Sequence, residues 1–368
     1  MRVRKIALSL HSLKKYKLLV RNGEIEEDKL TYRELYLRVR KIALSLQSLK
    51  VNGERALLLY QPGLDFITAF FGCLYAGVIA VPAYPPRRNQ NLSRLQAIAA
   101  SAKPKVVLTS SKLLESIKAG FDESLEIAQL EWLATDALDT GLSEKYQQPE
   151  INNNTLAFLQ YTSGSTGIPK GVMVSHGNLL HNLSLIHKCF GHSPQSKGVI
   201  WLPPYHDMGL IGGILQPLYG NFPVILMSPV DFLQKPIRWL RAISNYKATT
   251  SGGPNFAYDL CANKIKPEQI ASLDLSSWEV AFTGAEPVRA HTLEKFNSTF
   301  ESCGFRPEAF YPCYGMAENT LIVSGGLKSQ PPITRFFDGI SLSQNRVVPA
   351  SKSSKDSQAI VGCGFSLL

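Results

Sequence analysis

One segment of the chain, Tyr161–Gly171, combines residue types that bind polyphosphate. Its sequence is YTSGSTGIPKG, and it lies between two predicted strands. Glycines let backbone N–H groups approach phosphate oxygens, hydroxyls add donors, and Lys170 supplies a positive charge. The segment is not a Walker A loop, because Gly171 follows the lysine, and the two residues between Gly164 and Gly167 exclude a G-x-S-x-G nucleophile elbow. A plain surface turn is the alternative, but the length of the loop and its lysine favour phosphate.

Three further segments extend this pattern. Pro203–Gly213 is PPYHDMGLIGG, Phe282–Pro287 is FTGAEP, and Tyr311–Thr320 is YPCYGMAENT. Together with the loop, and in this order, they resemble the signature of the adenylate-forming enzymes. The whole of Leu30–Gly364 resembles the fatty acyl-AMP ligases. The sequence of Gly53–Ile98 is more similar to that branch than to the acyl-CoA synthetases.

The resemblance implies roles at the phosphates. Lys170 and the loop would close over the β and γ phosphates of ATP. Glu318, in YGMAE, matches the carboxylate that holds Mg²⁺, and Thr166 is the expected second ligand. The loop residues expected to bind the nucleotide are Thr162, Ser163, Gly164, Ser165, Thr166 and Gly167.

The resemblance also implies how the base and the acyl chain are held. The adenine would lie between a strip of backbone and the ring of Tyr314, and His206 would stand at the mouth of the acyl pocket. With Lys170 and Glu318, His206 is an expected catalytic residue. The strip is Gly284, Ala285 and Glu286, and the expected pocket wall is SGGPNFAY at 251 to 258, with contacts from Ser251, Gly252, Gly253 and Phe256.

Each of these residues has a plainer interpretation once its motif is set aside. Glu318 would be a carboxylate at the start of a helix, and His206 with Asp207 would be a turn. Tyr314 and Phe256 would be core aromatic residues. Four histidines invite a metal interpretation, but spacings of 5, 6 and 5 do not align on one helix face, so we assign them no metal. They are His176, His181, His187 and His192.

The implied reaction needs cations rather than a strong base, because a carboxylate must approach a highly negative triphosphate. Mg²⁺ and Lys170 can neutralise charge on the leaving pyrophosphate. Magnesium keeps several waters and takes one or two carboxylates, so Glu318 alone is adequate. The wall SGGPNFAYDLC has no acid before Asp259 to pair a substrate ammonium, which favours an alkyl chain over an amino acid.

Short apolar runs that alternate with helical patterns must position these residues. They predict an α/β fold with parallel sheets covered on both faces and sites at the carboxyl ends of strands. The resemblance implies two doubly wound, mostly parallel sheets. The match ends within the family's β-barrel subdomain, so we expect that subdomain to be incomplete and the family's C-terminal domain to be absent. The polar stretch Asp139–Asn154 is expected to connect the sheets, and the segment after Gly325 to be a mobile surface loop. The predicted strands are 56–60, 78–84, 105–110, 156–162, 171–175, 199–203, 223–228 and 279–284.

Composition excludes several other classes of protein. Of 368 residues, 45% are hydrophobic and 18% charged, as in ordinary globular proteins. The net charge of +10 is concentrated in the first 50 residues, so the nearly neutral remainder argues against a nucleic-acid partner. Six cysteines are too few for a disulfide framework and favour a reducing, cytoplasmic setting. Phe66–Tyr84 is long enough to span a membrane, but Gly72, Gly77 and Pro82 instead predict a buried helix followed by a buried strand.

The amino terminus contains a repeat. Arg2–Lys14 and Arg38–Lys50 differ only at His11 against Gln47. Both copies have helical apolar spacing, and the first is too short in its apolar part for a signal peptide. We therefore expect an aberrant segment at 1–29 with a duplicated helix, an incomplete AMP-binding core at 30–364 and a truncated end at 365–368.

The leading hypothesis is a fatty acyl-AMP ligase. ATP and a fatty acid would give acyl-AMP and pyrophosphate, and the acyl group would pass to an acyl carrier protein or polyketide synthase module in lipid or polyketide synthesis. The segment after Gly325 falls where these ligases carry an insertion thought to discourage use of coenzyme A. The alternatives are an inactive truncated remnant that at most binds nucleotide or fatty acid, and a long-chain acyl-CoA synthetase. Truncation is expected to impair activity.

Overall fold

The computed structural model describes residues 17–21, 26–86, 92–118, 127–138, 146–162 and 169–367. The chain divides into two compact units. The first contains Glu26–Ser184 and Pro203–Asn221, and the second contains Leu185–Leu202 and Phe222–Leu368. Two short strands come first, β1 (Lys17–Arg21) and β2 (Glu26–Thr31).

The first unit is built on a six-stranded sheet. Its elements are α1 (Tyr32–Ser48), β3 (Arg55–Leu59), α2 (Leu64–Ala76), β4 (Ile79–Ala83), α3 (Ser93–Ala102), β5 (Val106–Thr109), α4 (Ser111–Lys118), β6 (Glu131–Ala134), β7 (Leu156–Thr162), β8 (Lys170–Ser175), α5 (His176–Cys189), a π-helix (Met208–Leu215) and α6 (Gln216–Gly220). The strand order is β6-β5-β3-β4-β7-β8. Neighbouring strands are parallel except β7 and β8, which are antiparallel.

Packing of α1 on α2 shows why these residues form these elements. Thr31 begins α1 with a capping box, in which its side chain accepts the N–H of Glu34 and its own N–H donates to the Glu34 carboxylate. A Cβ at Gly72 would lie 2.5 Å from Cγ2 of Ile42, so glycine allows the two helices to approach closely. The apolar run from Phe66 forms the buried α2 and then β4, as predicted. Among the described residues, no helix is long and apolar enough to cross a membrane.

The second unit contains a larger, mostly parallel sheet. Its elements are β9 (Gly198–Ile200), β10 (Val224–Met227), α7 (Pro229–Gln234), α8 (Ile237–Tyr246), β11 (Thr250–Gly253), α9 (Asn255–Lys264), α10 (Pro267–Ile270), β12 (Val280–Thr283), α11 (Ala290–Phe300), β13 (Phe310–Gly315), β14 (Ile322–Gly325), β15 (Thr334–Asp338), α12 (Gly339–Ser343), β16 (Ser357–Val361) and β17 (Phe365–Ser366), with 3₁₀ turns at Glu301–Cys303, Pro307–Ala309 and Ala317–Asn319. The seven strands of this list that belong to the sheet have the order β17-β14-β13-β12-β11-β9-β10. Strands β9 to β13 pair in parallel, whereas β14 and β17 are antiparallel additions.

Aromatic side chains fill the core of the second unit. Trp239 and Trp278 lie edge to face with ring centroids 5.4 Å apart, and Tyr258 and Phe296 do so at 5.1 Å. The buried hydroxyl of Tyr258 donates to the carbonyl of Phe282 at 2.9 Å. This bond ties α9 to β12, two elements that border the candidate site described below.

The α/β class and the two mostly parallel sheets are confirmed. All eight predicted strands occur, and the largest error is at 199–203, where β9 ends at Ile200. The second copy of the repeat lies in α1, while the first copy lies outside the described residues. The predicted domain boundaries and the β-barrel assignment stay predictions.

Two expectations about connections are wrong. The polar stretch 139–154 does not join two sheets, because β6 before it and β7 after it belong to the same one; its residues 139–145 lie outside the described residues. The segment after Gly325 is not a structureless loop, since β15 and β16 pair antiparallel over five residues. It also lines a cavity of about 340 Å³ with Leu327, Ile333, Phe337 and Phe365. Strands β15 and β16 bury little of their surface, so the apolar pattern of the sequence did not predict them.

Candidate active site

In the first unit, β7 and β8 flank the predicted phosphate loop. Thr162 pairs with Lys170, and Tyr161 pairs with Gly171. A Cβ at Gly171 would lie 2.8 Å from Cζ of Tyr161, so this glycine leaves room for the ring, whose hydroxyl donates to Ser101 at 2.9 Å. These contacts fix the register on both sides of the loop, and Lys170 is exposed at its end. The loop residues Ser163, Gly164, Ser165, Thr166 and Gly167 lie outside the described residues.

The turn before His206 is fixed at the carboxyl edge of the same sheet. The ring of Tyr205 contacts that of Tyr84, which follows β4, with centroids 3.7 Å apart, and it lies edge to face with Phe66 at 6.5 Å. The buried side chain of Gln160, on β7, donates from Nε2 to the carbonyl of Tyr205 at 2.8 Å. The backbone that carries His206 is therefore attached to the strand that leads into the predicted phosphate loop.

His206 and Asp207 form a pair. Nδ1 of His206 lies 2.7 Å from Oδ1 of Asp207, and this oxygen also accepts the N–H of Met208 at 2.7 Å. The hydrogen bond to Asp207 raises the pKa of His206, while partial burial opposes that shift. The eight-residue π-helix begins at Met208, and π-helical turns are frequent at functional sites. A plain turn would therefore not account for the hydrogen-bonded pair of His206 and Asp207.

In the second unit, the predicted wall begins in β11, the adenine strip follows β12 and the carboxylate follows β13, and these three strands are adjacent and parallel. Since carboxyl ends of parallel strands meet at one edge, these segments lie side by side. A Cβ at Gly284 would lie 2.6 Å from the carbonyl oxygen of Cys313, so the strip passes very close to β13. The next residue, Ala285, has φ +67°, a strained conformation for a residue other than glycine.

Glu286 connects the predicted adenine strip to the predicted acyl wall. Its carboxylate accepts the backbone N–H of Phe256 at 2.7 Å. Asn255 strengthens the connection by accepting the N–H of Arg289 at 2.9 Å. The side chain of Phe256 is 42% exposed and lies edge to face with Trp201, so its core interpretation is wrong.

The other wall residues are buried in β11. The hydroxyl of Ser251 donates to the carbonyl of Val199 at 2.5 Å and accepts Nε1–H of Trp239 at 2.7 Å, so Ser251 supports the wall from behind. A Cβ at Gly252 would lie 2.0 Å from the carbonyl oxygen of Phe282, and one at Gly253 would lie 2.5 Å from the ring of Trp201. Only glycine fits at these two positions.

Tyr314 and Glu318 are both exposed. Tyr314 is 52% exposed on β13, so its interpretation as a core residue is wrong. Glu318 lies in the middle of the turn Ala317–Asn319, and within the described ranges its carboxylate has no hydrogen bond or ion pair. An exposed carboxylate with uncommitted oxygens suits Mg²⁺, which binds one or two carboxylates and keeps its remaining waters.

The chain reverses sharply after Glu318. Thr320 has φ +73° and ψ −58°, and the N–H of Leu321 donates to the carbonyl of Asn319 at 2.9 Å, which closes a γ-turn. This conformation is strained, particularly for a β-branched residue. No feature of the sequence predicted this turn.

Sequence reasoning also missed three supporting residues of the first unit. Gln160 and Tyr205 carried no signal, because a polar residue in a strand and an aromatic residue in a turn have many ordinary roles. For Asp207, the one available signal was its position directly after His206, and the structure shows that this residue is buried.

Two doubly wound sheets, with glycine-rich and charged segments after parallel strands, define an α/β protein of the kind that binds ligands at strand ends. The chain belongs to the AMP-binding enzyme family, whose model matches residues 15–342.

Individual relatives are similar over most of this chain. A medium-chain-fatty-acid–[acyl-carrier-protein] ligase, JamA, of Moorena producens is 46% identical over 96% of this chain and 61% of its own length. A second such ligase, TtuA, of Teredinibacter turnerae is 37% identical over 93% and 59%. The fatty acyl-adenylate ligase of Legionella pneumophila, solved with acyl adenylate and pyrophosphate, matches at 46% identity and TM-score 0.92, covering 99% of this chain and 63% of its own. The chain thus spans about three fifths of the length of these relatives.

Proposed function

We propose that the chain carries the adenylation site of a fatty acyl-AMP ligase. The observation that carries this proposal is at one edge of the second unit's sheet. There the Gly284–Glu286 strip follows β12, Tyr314 lies near the end of the neighbouring parallel strand β13, and the uncommitted carboxylate of Glu318 follows β13. The similarity to a ligase solved with acyl adenylate and pyrophosphate supports the same assignment.

The proposed reaction joins a fatty acid to AMP. A carboxylate oxygen of the acid attacks the α phosphorus of ATP, a new P–O bond forms, and the bond between the α phosphorus and the bridging oxygen to the β phosphate breaks. Pyrophosphate leaves with that electron pair. Lys170 would neutralise charge on the β and γ phosphates, and His206 would hold the attacking carboxylate by charge.

Glu318 would hold the Mg²⁺ that accompanies ATP, with Thr166, of the loop outside the described residues, as its expected second ligand. When bound, magnesium would offset negative charge on the triphosphate. Gly284, Ala285 and Glu286 would line one face of the adenine and Tyr314 the other.

The acyl acceptor is part of the proposal. Two relatives are ligases to acyl carrier protein, which supports such a carrier, or a polyketide synthase module, as the acceptor after adenylation. A reducing, cytoplasmic setting is also part of the proposal, because the chain contains only six cysteines. Transfer to coenzyme A, as in an acyl-CoA synthetase, is the competing outcome.

The test is fatty-acid-dependent exchange of labelled pyrophosphate into ATP, with binding of acyl sulfamoyl adenosines as a second readout. With the remaining carboxy-terminal part of a related ligase supplied, we expect exchange with fatty acids but not with amino acids or benzoate. Labelled acyl group should then appear on holo acyl carrier protein rather than on coenzyme A. Binding of the adenosine analogues without exchange would favour the inactive remnant, and failure of both readouts would remove the proposal.

Chain length gives a sharper test of the acyl pocket. Each buried CH₂ contributes about 0.8 kcal/mol, or about fourfold in affinity. Acyl sulfamoyl adenosines from C4 to C16 should therefore bind progressively more tightly until the pocket is full. Equal affinity across the series would reject the fatty-acid assignment and leave adenylation intact.

A further inference from the structure

The carboxylate of Asp207 has few partners for a buried charge. The residue is 8% exposed. Within the described part of the chain, its hydrogen bonds go to the imidazole of His206 and to the N–H of Met208, each at 2.7 Å. A buried carboxylate requires such partners, because its charge is costly away from water. The orientation of the imidazole is therefore coupled to the start of the π-helix.

The pairing decides which nitrogen of His206 carries a proton. An ionised carboxylate only accepts hydrogen bonds, so at 2.7 Å from Oδ1 of Asp207 the ring nitrogen Nδ1 is the donor. The N–H of Met208 also lies 3.3 Å from Nδ1, but it donates to the same carboxylate oxygen at the shorter distance of 2.7 Å. The other nitrogen, Nε2, makes no hydrogen bond with any described residue, and the side chain is about half exposed. In the neutral ring, Nε2 would present a lone pair, whereas in the imidazolium it presents an N–H.

The backbone around this pair is held from other directions as well. Gln160 donates to the carbonyl of Tyr205, and the Tyr205 ring packs against Tyr84. The N–H of Leu210 donates to the carbonyl of His206 at 2.8 Å. These contacts restrict the backbone, so the direction of the ring depends on the bond to Asp207.

Charge supports the same conclusion. Asp207 is the one ionised group that faces the ring among the described residues, and its hydrogen bond and its charge both raise the pKa of His206, against the effect of partial burial. The imidazolium is therefore more favoured here than in a histidine without a carboxylate partner. A fatty carboxylate that approaches Nε2 would meet a donor with positive charge rather than a lone pair.

We propose that Asp207 is a positioning residue for the acyl substrate, which holds the His206 ring through Nδ1 and keeps it cationic, so that Nε2–H is presented to the carboxylate of a fatty acid. The inference rests on the proposed function and deepens it. It assigns recognition of the carboxylate to a pair of adjacent residues, and it gives a role to the acid in the segment YHDMG.

The test compares decanoate with decanol, which has the same chain length without the charge. In Asp207→Asn, the amide oxygen can still accept from both N–H groups, but the negative charge is gone. We expect decanoate to bind 5- to 10-fold more weakly and decanol to bind unchanged. Asp136→Asn is the matched control, because Asp136 caps α4 through the N–H of Ser111 without a histidine beside it. It should alter neither affinity.

His206→Ala separates this inference from the proposed function. Loss of the preference for decanoate in His206→Ala but not in Asp207→Asn would overturn the role of Asp207 and leave the proposed site intact. An unchanged preference in both would remove His206 from the acyl site. Equal weakening of decanoate and decanol in Asp207→Asn would indicate a merely structural role.

A measurement on the unsubstituted protein does not depend on how the variants fold. Nitrogen-15 spectra of His206 at pH 7 with decanoate should show both ring nitrogens protonated. A spectrum with unprotonated Nε2 would overturn the inference, whatever the variants do.

Discussion

The two units hold their candidate site residues in different ways. In the first unit, Lys170 begins a regular strand, and His206 is oriented by a neighbouring side chain. In the second unit, Ala285 and Thr320 have positive φ, and glycines permit very close backbone approach. The first arrangement depends on hydrogen bonds that can be removed singly, whereas the second depends on backbone shape. Substitutions should therefore affect chemistry more cleanly in the first unit and affect folding more in the second.

The largest expected effects are on chemistry, and they test whether both units contribute to it. Lys170→Ala and Glu318→Ala should each lower fatty-acid-dependent ATP–pyrophosphate exchange about 10²- to 10³-fold, or roughly 3 to 4 kcal/mol, because each removes a preorganised electrostatic partner. Lys112→Ala, at an exposed position of α4, and Glu308→Ala, in the middle of the turn Pro307–Ala309, are matched controls and should be silent. Unchanged exchange in either site variant would remove that unit's residue from the mechanism.

The next effect concerns backbone shape in the second unit. Gly252→Ala should lower the free energy of unfolding by roughly 3 kcal/mol, because the new methyl meets the carbonyl of Phe282 and neither backbone can move easily. Gly63→Ala, in the first unit, has no atom within 4 Å of the new methyl and should cost much less. Urea unfolding followed by tryptophan fluorescence measures both. Similar losses of unfolding free energy in the two variants would contradict the proposed difference between the two units.

Acid should weaken both units, since each contains a buried histidine. Burial lowers the pKa of His176, in the first unit, to about 4, and that of His192, in the second, to about 3. The unfolded chain binds protons near pH 6.5 that these folded residues exclude, so stability is full above that pH and falls as the pH drops. At pH 5, His176 alone should account for about 2 kcal/mol of lost stability.

Urea unfolding at pH 7.5 and pH 5 tests this difference, with His176→Gln as the informative variant. The substitution should shrink the gap between the two pH values. A gap of the same size in His176→Gln would show that other groups cause the acid sensitivity.

The smallest expected effect tests strain at the predicted adenine strip. Ala285→Gly should raise the stability of the protein by up to about 1 kcal/mol, since glycine adopts positive φ without a Cβ clash. Ala271→Gly, at an exposed position with φ −57°, should instead lower it by a similar amount. Thermal unfolding distinguishes the two signs. Destabilisation by Ala285→Gly would show that the backbone there is not strained.

How far the sequence predicted the structure differs along the chain. Strand β7 was predicted at its observed bounds, because the apolar run LAFLQYT is typical of a buried strand. Strand β11 was missed, because TSGG has few residues that favour strands. Parallel neighbours on both sides make it a strand, and they require glycine there. Local propensity was overridden by long-range pairing.

The sequence by itself determined the α/β class, the order of the four motifs and the choice of Lys170, because those signals lie in residue type and short-range spacing. His206 and Glu318 became candidate reactive residues through the resemblance of their motifs to the fatty acyl-AMP ligases. Only the tertiary structure decided that Asp207 is buried against His206, that Glu286 accepts from Phe256, and that Thr320 closes a strained turn after Glu318. Such features depend on which distant backbones approach one another and on how much water is excluded, and neither quantity is encoded in a local pattern.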